Sequence, residues 1–174
     1  MTDPTATRTL CLARHAKAED EAASDQAREL SGRGHADAGA MGRWLVDADH
    51  SFDIVLCSTS TRTRQTWNGI AAAGVAADDV RFDRRVYDGD PALVLDLLAE
   101  LPEAVRSLLV IGHAPTIPEL ADQLADAEAS DETAIAGLRS SFPSGCLAVL
   151  TLQEPWQALT PGSATLITVN TPGS

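Results

Sequence analysis

The sequence predicts an α/β protein, namely a three-layer αβα sandwich built around a mixed, mostly parallel central sheet. Short apolar runs that are typical of buried strands alternate with helix-like segments in βαβαβα order over most of the chain. Two strand-like runs near the C-terminus have no long helix between them, so an antiparallel pair or an edge strand is expected there. No linker divides the chain, which predicts a single domain over 1–174 with an ordered core of about 8–170.

The first half of the chain contains two predicted strand–helix units. The apolar run from Thr9 to Ala13 indicates a buried strand. Ser31 is the predicted N-cap of a helix that runs from Gly32 to about Asp47. A second strand is predicted over 53–57, and the hydroxyl residues after it can cap a helix that ends near Gly74.

The second half begins with a predicted helix whose N-cap is Asp90 and whose first residue is Pro91. The run 108–111 is the most apolar in the chain and predicts a central strand. The other expected elements are a short strand over 80–82, a helix from 116 to about 127, and strands over 146–152 and 165–169. The ends, Met1 to Arg8 and Thr171 to Ser174, are expected to be loose.

The composition excludes several classes of partner. Thirteen basic and 25 acidic residues give a formal net charge of −12, which disfavours binding to nucleic acid or to an anionic membrane. No run approaches the roughly 18 apolar residues of a membrane span, and no signal-peptide pattern occurs, so a cytoplasmic protein is expected. The three cysteines form no CxxC pair and lie in or beside apolar runs, which indicates buried reduced thiols.

Basic side chains follow three of the predicted strands. Arg14 and His15 come after the first strand, Ser58 and Arg62 come after the second, and His113 follows the strand over 108–111. Ligands of open α/β sheets bind beyond the carboxyl ends of the strands. We therefore expect two imidazoles and two guanidiniums to converge at one edge of the sheet.

A cluster of two imidazoles and two guanidiniums is suited to phosphoryl transfer. An arginine fork binds two phosphate oxygens at once, and fixed cations stabilise the charge that spreads over the transferring group. Imidazole, with an unperturbed pKa of about 6.5, is a good nucleophile at neutral pH. A labile phosphoimidazole intermediate would divide one hard hydrolysis into two easier steps.

The motifs that carry these residues resemble those of a known family. Residues 12–16, Leu-Ala-Arg-His-Ala, resemble the Arg-His-Gly signature of the histidine phosphatase (phosphoglycerate mutase-like) superfamily. Residues 30–34, 57–66 and 110–115 resemble its "Leu-Thr-x-x-Gly", "Ser-Pro-x-x-Arg-x-x-Gln-Thr" and "Val-Gly-His-Asn-Pro" segments. The likeness covers roughly 9–125 in the expected order, and the short chain is similar to the compact SixA-type branch of phosphohistidine phosphatases.

The resemblance implies a role for each residue of the group. His15 would be the nucleophile, and Arg14, Arg62 and His113 would bind and polarise the phosphoryl group. Ser58 would shape its loop and donate a hydrogen bond to substrate, and Lys17 is expected at the rim, where it attracts anions. The candidate general acid is Asp88, because many members carry a Glu at the matching place, with Glu19 and Asp20 as alternatives or no acid at all.

Three departures from the family pattern bear on the mechanism. Ala16 replaces the usual Gly, and Thr59 replaces Pro. Ala114 follows His113 where acid-phosphatase relatives carry an Asp donor, which disfavours their mechanism.

Cys57 is not expected to be a nucleophile of the Cys-x5-Arg type, because only four residues separate it from Arg62.

The resemblance implies a phosphatase that hydrolyses a phosphoramidate or phosphomonoester through a phosphohistidine intermediate, with no metal or other cofactor. The favoured substrate is a protein that carries phosphohistidine. One alternative is a phosphatase acting on a small metabolite such as a sugar phosphate or nucleotide. Another is a catalytically weak module that only binds phospho-groups, since no general acid is obvious. The oligomeric state stays open.

Overall fold

The computed structural model describes residues 6–174, which form one six-stranded sheet with helices on both faces. The strands are β1 (Arg8–Arg14), β2 (Phe52–Cys57), β3 (Ala77–Phe82), β4 (Ser107–Gly112), β5 (Leu147–Leu152) and β6 (Ala164–Asn170). The α-helices are α1 (Gly32–Asp47), α2 (Thr61–Ala72), α3 (Arg84–Asp88), α4 (Pro91–Ala99), α5 (Thr116–Leu124) and α6 (Glu132–Ser140).

The sheet has the strand order β3-β2-β4-β1-β5-β6, and its first four strands run parallel to one another. β5 pairs antiparallel with β1, and β6 pairs antiparallel with β5 at the edge. The predicted mixed, mostly parallel sheet is therefore confirmed. Because β4 lies between β1 and β2, the carboxyl ends of these three parallel strands meet at one edge of the sheet.

Both faces of the sheet are apolar, because helices cover each of them. On β4, Leu108 and Val110 join the core that packs under α3, α4, α5 and α6. The alternate residues Leu109 and Ile111 join the core under α1 and α2. A parallel sheet buried on both sides requires this pattern, and the three predicted layers result from it. Within 6–174, no helix is long and apolar enough to cross a membrane.

The predicted helix boundaries follow from local hydrogen bonds. Ser31 Oγ accepts from the Gly34 amide at 3.0 Å and begins α1. Asp90 Oδ1 accepts from the Leu93 amide at 3.0 Å, with Pro91 as the first residue of α4. Each acceptor satisfies an amide that has no partner inside its own helix.

Two helices and two boundaries differ from the expectation, and one of these boundaries is the start of β3, at Ala77 rather than at 80. The sequence analysis did not predict α3 or α6, since α3 has only five residues and α6 buries only two of its nine, where α4 and α5 bury four each. α5 ends at Leu124 rather than near 127. The next residue, Ala125, has extended dihedrals and forms a parallel bridge with Ala164, so the chain leaves the helix to contact β6.

Residues near both chain ends, which were expected to be loose, make defined hydrogen bonds. Arg8 begins β1 and is buried, and its Nη1 donates to the carbonyl oxygens of Gln153 and Glu154. Near the C-terminus, the Gly173 carbonyl accepts a hydrogen bond from Arg33 on α1. Residues 1–5 of the expected N-terminal loose end lie outside the described part of the chain.

Close contact between α1 and α2 depends on a glycine. A Cβ at Gly42 would lie 2.7 Å from the Ile70 carbonyl oxygen, whereas one at Gly137 on α6 would meet nothing within 4 Å. We expect Gly42→Ala to lower the free energy of unfolding by about 1–3 kcal/mol through overpacking. Gly137→Ala should raise it by up to about 1 kcal/mol through helix propensity. Urea denaturation of both variants tests this, and an equal change in both would contradict it.

Candidate active site

Three neighbouring strands place the functional side chains. β1 ends at Arg14 and is followed by His15, and β4 ends at Gly112 and is followed by His113. The ladder continues past the strand ends, since the His15 amide donates to the Gly112 carbonyl at 3.0 Å. Arg62 lies in the first turn of α2, just beyond the carboxyl end of β2. The backbone pairing therefore brings these side chains together at one edge of the sheet, as the sequence analysis expected.

The two histidine rings face one arginine. Their centroids are 5.3 Å apart, with planes tilted by 55°. Arg62 Nε lies 3.3 Å from His15 Nε2, and Arg62 Nη2 lies 3.2 Å from His113 Nδ1. The structure thus brings His15, Arg62 and His113 into direct contact through a single guanidinium.

Hydrogen bonds define which nitrogen of His15 is free. Its Nδ1 lies 2.7 Å from the carbonyl oxygen of Ala16. A carbonyl only accepts, so Nδ1 carries the proton and Nε2 carries a lone pair. That lone pair faces Arg62, inside the cluster of basic side chains, which makes Nε2 the atom with nucleophilic character.

His113 is oriented by Ser58. Arginine has no acceptor, so His113 Nδ1 accepts from Arg62 and its Nε2 donates to Ser58 Oγ at 2.7 Å. Ser58 Oγ also accepts from the Ser60 amide at 3.3 Å. Ser58 is fully buried, and it therefore acts on the site by holding the His113 ring.

The remaining residues of the 57–66 motif attach α2 to the segment after His15. Thr66 Oγ1 accepts from the Ala16 amide at 3.0 Å and donates to the Arg62 carbonyl at 2.7 Å. Gln65 Oε1 accepts from the Leu30 amide at 2.7 Å. The bond to Thr66 holds the backbone of Ala16, whose carbonyl determines which nitrogen of the His15 ring carries the proton.

Arg14 contributes a second, half-buried cation. Its Nη1 donates to the Phe142 carbonyl at 3.0 Å. Within residues 6–174, its buried Nε–H has no hydrogen-bond partner. The charge of Arg14 acts on both rings, because it helps to lower the pKa of His15 and of His113. An oxyanion at this place would meet two guanidiniums.

Burial keeps both rings neutral in the empty site. His15 is 7% exposed, and burial, opposed by its bond to the Ala16 carbonyl and aided by His113 and the arginines, lowers its pKa to about 3. Burial and then Arg62 lower the pKa of His113 to about 4. A bound anion would reverse this effect, since it favours the protonated rings.

The sequence analysis missed one carboxylate and one phenol at the site. Asp25, on the segment between β1 and α1, accepts from Arg62 Nη2 at 3.2 Å and from the Tyr87 hydroxyl at 2.8 Å through Oδ2. Its carbonyl also accepts from Arg62 Nη1 at 2.7 Å. Hydrogen bonds from Tyr87 and Arg62, opposed by partial burial, lower the pKa of Asp25 to about 2.

Of these two residues, only Tyr87 had a signal in the sequence. Asp25 is one of several acidic residues on a polar segment, and no motif considered in the sequence analysis separates it from the others. Tyr87 directly precedes Asp88, so the expected segment does reach the site, with a different residue of it making the contact. Tyr87 also packs edge-on against the His113 ring, with centroids 5.5 Å apart.

The candidate acids lie away from the cluster. The Asp88 carboxylate accepts from Arg84 Nε at 2.6 Å on the exposed side of α3. Glu19 and Asp20 are exposed, and Asp20 lies 4.0 Å from Arg28. In the described part of the chain, no hydrogen bond joins these three carboxylates to either histidine. A general-acid role for Asp88 therefore stays a prediction without a contact to support it.

Lys17 lies at the rim, as expected, with an exposed side chain. It lines an open groove of about 610 Å³ together with Arg14, Ser31, Arg33, Asp37, Pro143 and Ser144. Arg14 thus belongs both to the basic cluster and to this groove. Of the four basic side chains of the cluster, only Arg14 lines this groove.

The cysteines are all free and buried, as the sequence analysis predicted. Burial raises the pKa of the Cys57 thiol to about 12, which leaves it protonated and unreactive. Across residues 6–174, no group of three or more His, Cys, Asp and Glu side chains is placed to hold a metal ion.

Comparisons with known proteins show which family the chain is similar to. The profile of the histidine phosphatase superfamily (branch 1) matches residues 10–86. A structure from Nakamurella multipartitia, described as a candidate phosphohistidine phosphatase SixA, is 37% identical with a TM-score of 0.86, and the match covers 99% of this chain and 100% of that one. The protein histidine phosphatase SixA complexed with tungstate is 26% identical with a TM-score of 0.78, covering 94% and 97%. An uncharacterized Mycobacterium tuberculosis protein is 36% identical over 160 residues, covering 91% and 99%.

The lowered pKa values predict the titration of the site. Without a bound anion, neither His15 nor His113 should gain a proton between about pH 6 and pH 8, because an imidazole stays neutral above its pKa. Added inorganic phosphate should raise the pKa of His113, since the anion stabilises the imidazolium. Nitrogen-detected NMR of the rings, assigned with His15→Gln and His113→Gln, measures both effects. Titration of either ring near the unperturbed value of about 6.5 in the empty protein would contradict the described burial.

Proposed function

Since the chain belongs to the histidine phosphatase superfamily and is a phosphatase, we propose that His15 is the residue phosphorylated during its catalytic cycle. The observation that carries this proposal is the unprotonated Nε2 of His15, whose lone pair accepts from Arg62 Nε at 3.3 Å within the basic cluster. The substrate we propose is a phosphohistidine-bearing protein. This proposal is supported by the likeness to structures described as SixA phosphohistidine phosphatases.

The reaction takes two displacements. His15 Nε2 attacks phosphorus, the bond between phosphorus and the leaving nitrogen or oxygen breaks, and the leaving group takes the electron pair. Water then attacks the phosphorus of phospho-His15, and inorganic phosphate leaves while Nε2 recovers its lone pair. The Nε–H of Arg14, which has no partner among residues 6–174, and the fork of Arg62 would bind the equatorial oxygens in both steps.

His113 and Ser58 support this transfer. In the empty site His113 Nδ1 is an acceptor, held toward Arg62 by the bond from Nε2 to Ser58. An arriving phosphoryl group favours protonation of Nδ1, and the ring then donates to an oxygen. In this proposal Ser58 serves as a positioning residue.

The positions of the carboxylates favour a phosphoramidate over an ester. An alkoxide leaving group needs a proton from a placed acid, and Asp88, Glu19 and Asp20 make no bond to the cluster in the described chain. An imidazole whose second nitrogen is protonated leaves as a neutral ring without such help. The site is therefore better suited to phosphohistidine than to an alkyl phosphate.

A small-molecule phosphatase is the second candidate. The groove of about 610 Å³ beside Arg14 has a volume within the usual range for small-ligand sites. Lys17 and Arg33 on its wall would attract a sugar phosphate or a nucleotide. The same groove would equally receive the backbone next to a phosphorylated side chain, so its volume alone does not separate the two substrates.

We further propose that the protein acts in the cytoplasm, without a metal ion, and that neither nucleic acid nor membrane is its partner. The net charge of −12 supports the last point, because the basic groups are concentrated at one site against an acidic background.

His15→Ala tests the nucleophile. We expect kcat on a generic aryl phosphate to fall by at least about 10³-fold, because the covalent path is lost. Wild-type protein quenched during turnover of labelled substrate should carry acid-labile, base-stable phosphate, and the variant should carry none. His35→Ala, which removes an exposed histidine of α1, is the matched control and should behave as wild type. Equal activity in His15→Ala and His35→Ala would remove the mechanism.

A substrate panel tests the substrate class. A phosphohistidine peptide should be hydrolysed with a higher kcat/KM than sugar phosphates, nucleotides or phosphoserine peptides of the same sequence, because its leaving ring needs no placed acid. Initial rates of phosphate release under matched conditions measure this. A metabolite that exceeds the phosphohistidine peptide would favour the second candidate.

A further inference from the structure

A carboxylate lies against the basic cluster on the side away from His15. Asp25 Oδ2 accepts from Arg62 Nη2 at 3.2 Å and from the Tyr87 hydroxyl at 2.8 Å, and its Oδ1 accepts from Arg28 Nη1 at 3.2 Å. The same Arg62 nitrogen lies 3.2 Å from His113 Nδ1. One guanidinium thus separates the carboxylate from both imidazole rings.

Asp25 keeps the capacity to bind a ligand. Its two oxygens offer about four acceptor positions, of which the side-chain donors of Arg28, Arg62 and Tyr87 take three. Its side chain is 55% exposed, whereas that of Arg62 is 7% exposed. The carboxylate is therefore open to solvent on the face that Arg62 does not cover.

The surroundings of Asp25 hold it as an anion. Arg62 faces it from α2, Arg28 from its own segment and Tyr87 from α3, and Asp20 lies on the far side of Arg28 at 4.0 Å. The hydrogen bonds from Tyr87 and Arg62 lower the pKa of Asp25 to about 2. A group with so low a pKa donates no proton at neutral pH, so it does not serve as a general acid.

We propose that Asp25 determines leaving-group specificity: it accepts a hydrogen bond from the ring N–H of a departing imidazole and repels leaving groups that carry further negative charge. This inference rests on the proposed function, since it concerns the group that His15 displaces. It assigns a function to a negative charge that a phosphate-binding site would otherwise be expected to avoid.

The step balances without an acid from the protein. The bond from phosphorus to His15 Nε2 forms, the bond from phosphorus to the substrate nitrogen breaks, and that nitrogen keeps the electron pair. The second ring nitrogen of the substrate already carries its proton, so the product is neutral imidazole. Asp25 stabilises the protonated phosphoimidazole that reacts, and it therefore raises the ring pKa of the bound substrate.

A purely structural role for Asp25 makes a different prediction. If the carboxylate only held Arg62 in place, its loss would slow every substrate by the same factor, because all of them present the same phosphoryl group to Arg62. A role in leaving-group selection instead changes the ratio between substrates. It also changes the pH dependence of kcat for the substrate whose leaving group carries a titrating ring.

The test compares Asp25→Asn with wild type on N-phosphoimidazole, phenyl phosphate and 4-carboxyphenyl phosphate. We expect kcat/KM for N-phosphoimidazole to fall by about 10- to 100-fold relative to phenyl phosphate, the effect of losing a hydrogen bond to a charged group. The value for 4-carboxyphenyl phosphate should rise by about 10-fold relative to phenyl phosphate, because one repulsive charge is gone. The basic limb of kcat on N-phosphoimidazole should move to lower pH in the variant.

Two further variants act as controls. Asp79→Asn removes another arginine-paired carboxylate, on the edge strand β3, and should leave all three ratios unchanged. Tyr87→Phe removes one bond to Asp25 but keeps its charge, so discrimination against 4-carboxyphenyl phosphate should persist. Thermal unfolding of each variant establishes that it is folded, and if Asp25→Asn were unfolded, Asp25→Ser would replace it in the same comparison.

The outcomes separate this inference from the proposed function. An equal loss on all three substrates, or no change in any ratio, would overturn the specificity role while leaving phospho-His15 chemistry intact. Absence of phospho-His15 in the wild-type protein would overturn the proposed function itself. The two aryl phosphates still measure the charge repulsion by Asp25 even if wild type does not turn over N-phosphoimidazole.

Discussion

The position of β4 between β1 and β2 is the constraint on which the site depends. Parallel pairing on both sides of β4 aligns the ends of the three strands, so His15 and His113 leave neighbouring strand ends. The register places Arg14 opposite Gly112 and Cys57 opposite Ile111. A shift of one residue in either pairing would turn one group of side chains to the opposite face of the sheet.

The second constraint is electrostatic. Two guanidiniums and two imidazoles in a half-buried space repel each other if all are charged, and burial disfavours their charged forms further. The lowered pKa values of His15 and His113 leave both rings neutral. Asp25 compensates the charge of Arg62 through two contacts. Neutral histidines and one carboxylate thus limit the repulsion between the cations of the site, and a bound phosphoryl group brings in the anion that protonated rings favour.

Much of the fold could be predicted, because its signals are local. Apolar runs with strand length, the cap at Ser31 and the Asp90-Pro91 pair determine their elements through neighbouring residues. The helix α3 spans five residues, and α6 buries only Ala134 and Leu138, so neither carries an apolar stripe long enough to indicate a helix. These two helices form because the core on their face of the sheet offers them an apolar surface.

The sequence by itself determined which chemistry-bearing residues follow the buried strands, namely Arg14, His15, Ser58 and His113, and Arg62 one turn later. A residue that follows a buried strand has its position set by the strand, and strands are recognisable from local pattern. Only the tertiary structure decided that Asp25 and Tyr87 join this group while Asp88 pairs with Arg84 outside it. The physical reason is that Asp25 lies in an irregular segment, whose course is set by contacts with α2 and α3 rather than by its own sequence.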